Sequence, residues 1–379
     1  PRVGAFKNGA PSAAQMFGAR PKELPQDIGF LLVPLFSMIA FVSALEPLRL
    51  ANRASGRQLY RWRVFSPDGR PVTASNGLEI RPEGALDELM DFSTVVVCSG
   101  IDAHKFHDRA TLTVLRKLDR KGADIGALCT ASHILAQAGL LDGYRCTIHW
   151  ENLAGFAEEF PEIDITTELF EIDRSRFTCA GGTAALDMML NLIGGQHGAE
   201  LAAQVSEQFM HERIRDRHDH QRMGLPARLG LRHPKLLEVA RLMEQNLEEP
   251  LERAELAKAV GLSTRQLERL FRKYLHRSPA RYYVELRLDR ARRLLQQTNI
   301  PIIDVALACG FVSASHFSKC YRDFFGKTPR RERAGLLVAE SDLEESADEP
   351  ADSDYTNSGR GREKTRRTIG SKASSGMVS

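Results

Sequence analysis

Short apolar runs alternate with helix-length stretches over the first half of the chain, and then the pattern changes. IGFLLV, YRWRVFS, STVVVCSG, ADIGALC, DITTELFEI and RFTCAGG read as strands; Ser37–Asn52, Asp108–Arg120, Thr130–Ala138 and Thr183–Ile193 read as helices. VVV and IGAL are apolar at every position, as strands must be when crossover helices cover both faces of a parallel sheet. The pattern predicts a three-layer α/β sandwich with a mostly parallel sheet, ending near Gly195. Beyond Gly198 no strand pattern recurs. A polar stretch, His211–Met223 (HERIRDRHDHQRM), leads to Gly230, and a helical block then runs from His233 to about Arg333.

The divisions expected are a flexible arm over 1–26, an α/β domain over 27–198, a linker with a relay helix over 199–230, and an all-helical domain over 231–335. A disordered tail over 336–379 follows, because ESDLEESADEPADSD and GREKTRR offer no apolar residues to bury. A length of 379 residues fits two domains with tails. Ile28–Leu45 (IGFLLVPLFSMIAFVSAL) is uncharged and reaches the roughly 18–20 residues of a membrane span. Pro34 and Ser37 interrupt it, and it lacks the layout of a cleavable signal, so strand, loop and helix explain it better and no membrane is expected. Cys98, Cys129, Cys146, Cys179, Cys309 and Cys320 are scattered without a CxxC pair, which indicates neither a disulfide framework nor a zinc knuckle. Reduced thiols in a cytoplasm fit best, with no metal and no cofactor.

The helical block repeats itself. Ala257-Lys-Ala-Val-Gly261 is followed by Leu262, Ser263, Leu267, Phe271-Arg272 and Ser278-Pro279. Ala306-Leu-Ala-Cys-Gly310 is followed by Phe311, Ser313, Phe317, Tyr321-Arg322 and Thr328-Pro329. A small Ala where two helices cross and a Gly four residues on, in the turn, are what a helix-turn-helix needs. The two motifs span about 252–274 and 302–325. Ser263 and Gln266 form a capping box for the second helix of the first, and Ser313 can cap its counterpart.

Charge now matters. The whole chain has a net charge of only +3, but residues 226–335 hold 22 Lys and Arg against 12 Asp and Glu, a local +10. That leaves 30 basic and 37 acidic residues elsewhere, or −7. A basic local field is the footprint of phosphate binding. Arg265, Gln266 and Arg269, and in the second copy Ser315, His316 and Lys319, are the candidates to read base edges; Arg272 and Arg322 lie a turn or more further on and suit phosphates. For any single arginine a solvated face is the competing explanation. Between the copies, Arg281–Gln297 makes a rod of roughly 25 Å at 1.5 Å per residue. Such a rod could hold two reading heads in successive major grooves about 34 Å apart.

These residues resemble the AraC/XylS family of transcription regulators, most closely in ALACGFVSASHFSKCYRDFFGKTP. The resemblance implies a bipartite DNA-binding module. Arg330-Arg331-Glu332 departs from the family, in which an aromatic usually follows the final proline closely.

In the α/β half, Gly126-Ala-Leu-Cys129-Thr-Ala-Ser132 runs a strand straight into a helix with Cys129 at the corner. That is the layout of a nucleophile elbow, whose helix-start amides, beginning at Thr130, could hold an oxyanion or a carboxylate. A cysteine there can also be plain packing. His149 follows on a segment able to return beside Cys129. The domain resembles the PfpI-like branch of class I glutamine amidotransferases, a flavodoxin-like fold, and Cys129 and His149 match its Cys–His pair. The family's acidic partner is replaced by Ala40, with Glu46 the nearest acid, which favours a pocket kept for binding.

Together the two resemblances point to the GlxA-type subfamily of AraC regulators. SALEPLRLANRASGRQLYRW, LLDGYRCTIHWENLA, ERIRDRHDHQR and GFVSASHFSKCYR resemble regulators responsive to glycine betaine and related choline-derived amines. Aromatic faces hold quaternary ammonium; Trp150, beside His149, and Phe36, after the first strand, are candidates, although Trp150 could equally be core. The partners implied are double-stranded promoter DNA, a small-molecule effector and RNA polymerase, with a homodimer expected from the PfpI resemblance. The competing expectation is a PfpI-like cysteine hydrolase or amidase fused to a DNA-binding domain.

Overall fold

The uncharged stretch at 28–45 divides at its proline. We describe residues 24–334 of a computed structural model; most of the arm expected over 1–26 and the whole tail expected over 336–379 lie outside them. β1 (Gln26–Leu32) enters the middle of a sheet, and α1 (Met38–Ser55) begins where the Ser37 hydroxyl accepts from the Ala40 N–H at 3.4 Å. Among the described residues no helix is long and apolar enough to cross a membrane.

The chain continues through β2 (Tyr60–Phe65), the hairpin β3 (Val72–Thr73) and β4 (Glu79–Ile80), α2 (Leu86–Leu89), β5 (Thr94–Cys98) and α3 (Arg109–Arg120). Next come β6 (Asp124–Leu128), α4 (Ser132–Gln137), β7 (Arg145–Thr147), α5 (Leu153–Glu159) and β8 (Asp164–Thr166). The half closes with β9 (Phe170–Asp173), β10 (Arg176–Cys179), α6 (Ala184–His197) and α7 (Ala199–Gln208). The main sheet has the order β2-β1-β5-β6-β10-β9, parallel except where β9 runs against β10. All of β5 is buried, as its VVV run requires. One core joins the sheet to α1, α6 and α7 and a second fills its other face, which makes the three layers of the expected flavodoxin-like sandwich.

The strand expected over DITTELFEI is in fact two. β8 pairs with β7 in a separate small sheet and only β9 joins the main one. The Thr147 hydroxyl donates to the carbonyls of Thr166 (3.2 Å) and Glu168 (2.8 Å), which turns the chain between them. The segment expected to be linker begins with α7, whose Ala202 and Val205 are buried with α1 and α6. The polar connector after it is tied down by charge. Asp187 of α6, fully buried, accepts from His211 Nε2 (2.8 Å), the Arg215 backbone (2.7 Å) and Arg215 Nε (2.8 Å).

The helical half comprises α8 (Leu225–Leu229), α9 (Pro234–Gln245), α10 (Arg253–Ala259), α11 (Thr264–Leu275), α12 (Pro279–Gln297), α13 (Ile302–Ala308) and α14 (Ala314–Phe325). The crossing residues Ala257 and Ala306 are each 1% exposed. Gly310 turns the second motif at φ 72°, and a Cβ there would lie 2.6 Å from the Leu247 carbonyl oxygen, so no other residue fits. α12 feeds both cores: Tyr282 and Tyr283 pack with α9–α11, and Leu288, Ala291, Leu294 and Leu295 with α13 and α14. Arg287 of α12 braces the second turn by donating to the carbonyls of Cys309 (2.7 Å) and Gly310 (2.6 Å), its guanidinium 4.0 Å from the Phe311 ring centroid. Glu332, where the family pattern is broken, is buried and receives Lys327 (3.0 Å), Gln296 (2.8 Å) and Arg292 (3.3 Å).

The two halves touch through α5 and α12. Ala154 packs against the second helical core, Gly155 lies under Thr298, and Glu158 pairs with Arg290 at 3.6 Å.

Candidate pocket and nucleic-acid interface

β6 delivers Cys129 to the corner in a left-handed backbone, φ 62°, which a non-glycine residue adopts only under constraint. The constraint comes from β10 and the turn after it. The Cys129 N–H donates to the Cys179 carbonyl (3.0 Å), and Gly181 approaches so closely that a Cβ on it would be 2.6 Å from that of Cys129. The elbow is closed: Cys129 is 9% and Thr130 4% exposed, with the Thr130 hydroxyl turned to Ser99 and the Gly100 carbonyl. The returning segment is fixed to it. Ser132 Oγ donates to the Thr147 carbonyl (2.7 Å) and the His149 N–H to the Cys129 carbonyl (3.2 Å).

Electrostatics set the chemistry. Burial, reinforced by Cys179, pushes the Cys129 thiol up to about 12, against a hydrogen bond from the Thr130 backbone. Burial likewise lowers the His149 imidazole, against the pull of Glu151 3.8 Å away. At neutral pH the pair is thiol and neutral imidazole, whereas nucleophilic attack needs thiolate.

Of the six pocket candidates, the structure brings Cys129, Thr130, His149 and Trp150 together. Phe36 is fully buried, its ring edge-on to Phe41 at 5.8 Å, and Glu46 turns to the surface in an ion pair with Arg49 at 2.5 Å. Ala40 is buried in the same core as Cys129. Trp150 is half-buried, and its ring already faces cations: the guanidinium carbons of Arg222 and Arg293 lie 4.3 and 6.0 Å from its centroid. Neither arginine was foreseen, and neither was the Asp187 anchor. A lone acid inside the apolar run ALDMML was the one available signal, since a buried charge has to be paired.

The faces expected to read bases are on α11 and α14. Ser263 and Gln266 close the capping box at 3.2 and 2.8 Å, so the Gln266 side-chain oxygen is committed to the backbone; Ser313 caps α14 through the His316 N–H at 3.4 Å. Arg265, Arg269 and Arg272, with Ser315, His316, Lys319 and Arg322, are all exposed. His316 Nε2 rests 3.4 Å from Cys320 Sγ one turn on. Among the described residues none of Arg265, Arg269, Arg272, Lys319 and Arg322 forms an ion pair. Arginines on other faces do: Arg253 with Glu268 at 3.0 Å, Arg281 with Glu285 at 3.1 Å. Positive charge left uncompensated on two capped helices suits a polyanion.

An α/β domain with a buried elbow cysteine, joined to two capped helix-turn-helix motifs with exposed arginines, defines a DNA-binding transcription regulator. Residues 30–194 match the DJ-1/PfpI family and 256–335 the helix-turn-helix domain. The chain is 56% identical over 311 residues to the HTH-type transcriptional regulator GbdR of Pseudomonas aeruginosa, covering 82% of this chain and 85% of that one. It is 49% identical over 313 residues to CdhR of the same organism, covering 83% and 93%. An AraC family transcriptional regulator from Pseudomonas putida superposes with a TM-score of 0.46 at 30% identity, over 49% of this chain and all of that one. The chain belongs to the HTH-type transcriptional regulators that join a DJ-1/PfpI domain to an AraC-type DNA-binding domain.

Proposed function

We propose that this regulator activates catabolic genes in the cytoplasm on binding glycine betaine or a related choline-derived amine. Residues 27–198 sense the effector, 199–230 relay it and 231–335 bind promoter DNA, as a homodimer that recruits RNA polymerase. Arg265, Gln266, Arg269, Ser315, His316 and Lys319 face bases, and Arg272 and Arg322 face phosphates. The observation that carries the effector assignment is Trp150: beside the closed elbow, it is a ring that takes cations. The resemblance of the flanking segments to betaine-responsive regulators and the identity to GbdR support it.

Thermal denaturation of the full chain with glycine betaine, carnitine or arginine tests this. A ligand at 100 times its Kd stabilises by about 2.7 kcal/mol; no shift with any of the three sinks the assignment. With the thiol protonated, Cys129→Ser is expected to activate the promoter almost normally. Loss of activation with DNA binding intact would instead indicate covalent chemistry.

A further inference from the structure

Three parts of the chain meet at Trp150. It follows His149 in the turn tied to the elbow, Arg222 reaches it from the connector, and Arg293 reaches it from α12 of the DNA-binding half. Both guanidinium carbons fall within the roughly 6 Å over which an aromatic face attracts a cation. Arg222 has little else to hold it. Among the described residues it forms no ion pair, and burial and then the neighbouring Arg228 disfavour its charge, against the pull of Glu244 and Glu151. Gln221 beside it is held firmly, its amide donating to Thr147 Oγ1 (3.0 Å) and to the carbonyls of Ile148 (3.1 Å) and Glu168 (2.8 Å). The connector is thus pinned at Gln221 and leans on the ring at Arg222.

We propose that Arg222 is an internal competitor for the effector. Its guanidinium occupies the Trp150 face that a quaternary ammonium needs, so the bound effector displaces it and frees the connector where it enters the DNA-binding half. This rests on the amine-effector reading above and adds the group that is displaced. The exchange replaces one cation on the ring by another, so the ring's own attraction is kept. The two cations differ in their donors. A guanidinium has five N–H groups to satisfy and a quaternary ammonium has none, so the latter can be enclosed against the elbow without stranding a donor. A ligand shifts an equilibrium only through differential affinity for its two states, and here those states are Arg222 on the ring and Arg222 off it.

The test uses the full chain with Arg222→Gln and Trp150→Leu. Calorimetric titration with glycine betaine reads affinity, and hydrogen exchange over residues 211–224 without ligand reads the connector. Arg222→Gln is expected to bind glycine betaine roughly 2- to 30-fold more tightly, the factor a cation on a ring face is worth, and Trp150→Leu to weaken it by a similar factor. Without ligand, Arg222→Gln should exchange the connector amides faster than wild type. Arg222 is exposed, with its guanidinium only partly buried, and holds no ion pair among the described residues, so Arg222→Gln strands no partner charge. Unchanged or weaker binding by Arg222→Gln overturns the competition, while binding by wild type preserves the amine reading. No binding by wild type overturns both.

Discussion

Asp124 shows how single side chains in this fold register the cost of burial. It opens β6, and burial lifts its carboxyl to about 6 against the opposing pull of Arg176. A folded pKa above the unfolded one means the native state holds this proton more tightly. The associated stability is therefore complete below the ordinary carboxyl value of 3.8, is lost as pH rises through about 6, and is flat above that. Asp124→Asn is expected to stabilise the protein at pH 7.5 by on the order of 2 kcal/mol. It should also flatten the pH dependence of Tm between 4 and 6; an unchanged slope there would count against the assignment. At the same scale, sequence reasoning put forward Cys129, His149 and Trp150 from their order along the chain. It could not see that Trp150 is shared with Arg222 and Arg293, because those contacts join residues distant in sequence.

At the scale of elements, α12 is the member on which the DNA-binding half is assembled, and Arg287 is its grip on the second motif. Arg287→Ala would leave the Cys309 and Gly310 carbonyls without their charged donor, a loss of about 1.5–3 kcal/mol. The expected outcome is faster hydrogen exchange confined to residues 302–325, with α9–α11 protected as before. Elements written in local pattern were legible: β5 in its apolar run, α3 as the helix-length stretch from Asp108, both helix-turn-helix motifs in the Ala and Gly spacing. β7, α5 and the break between β8 and β9 were not. β7 is three residues long, and the break depends on Thr147 reaching the carbonyls of Thr166 and Glu168. No periodicity encodes such a reach.

For the whole molecule, the segregation of charge makes a quantitative prediction about DNA. Phosphate contacts release counterions, so the logarithm of affinity falls linearly with the logarithm of salt concentration. Arg272→Ala and Arg322→Ala should each reduce that slope by about 1 and weaken binding about equally on all sequences. Equal slopes for wild type and variants would exclude both residues from phosphate contact. The acidic excess outside residues 226–335 keeps the +10 field confined to one half, which aims it at the promoter rather than at the sensor.

The continuity of α12 also constrains the genome. A helix that lends side chains to two cores cannot lengthen or bend without breaking one of them, so the distance between the two reading helices is built in. Operators must then match a ruler: a few base pairs inserted between the two contacted stretches would rotate one out of reach, and no effector could restore it. The signal molecule can change where and when this ruler is laid down, but the spacing it measures was settled when α12 folded.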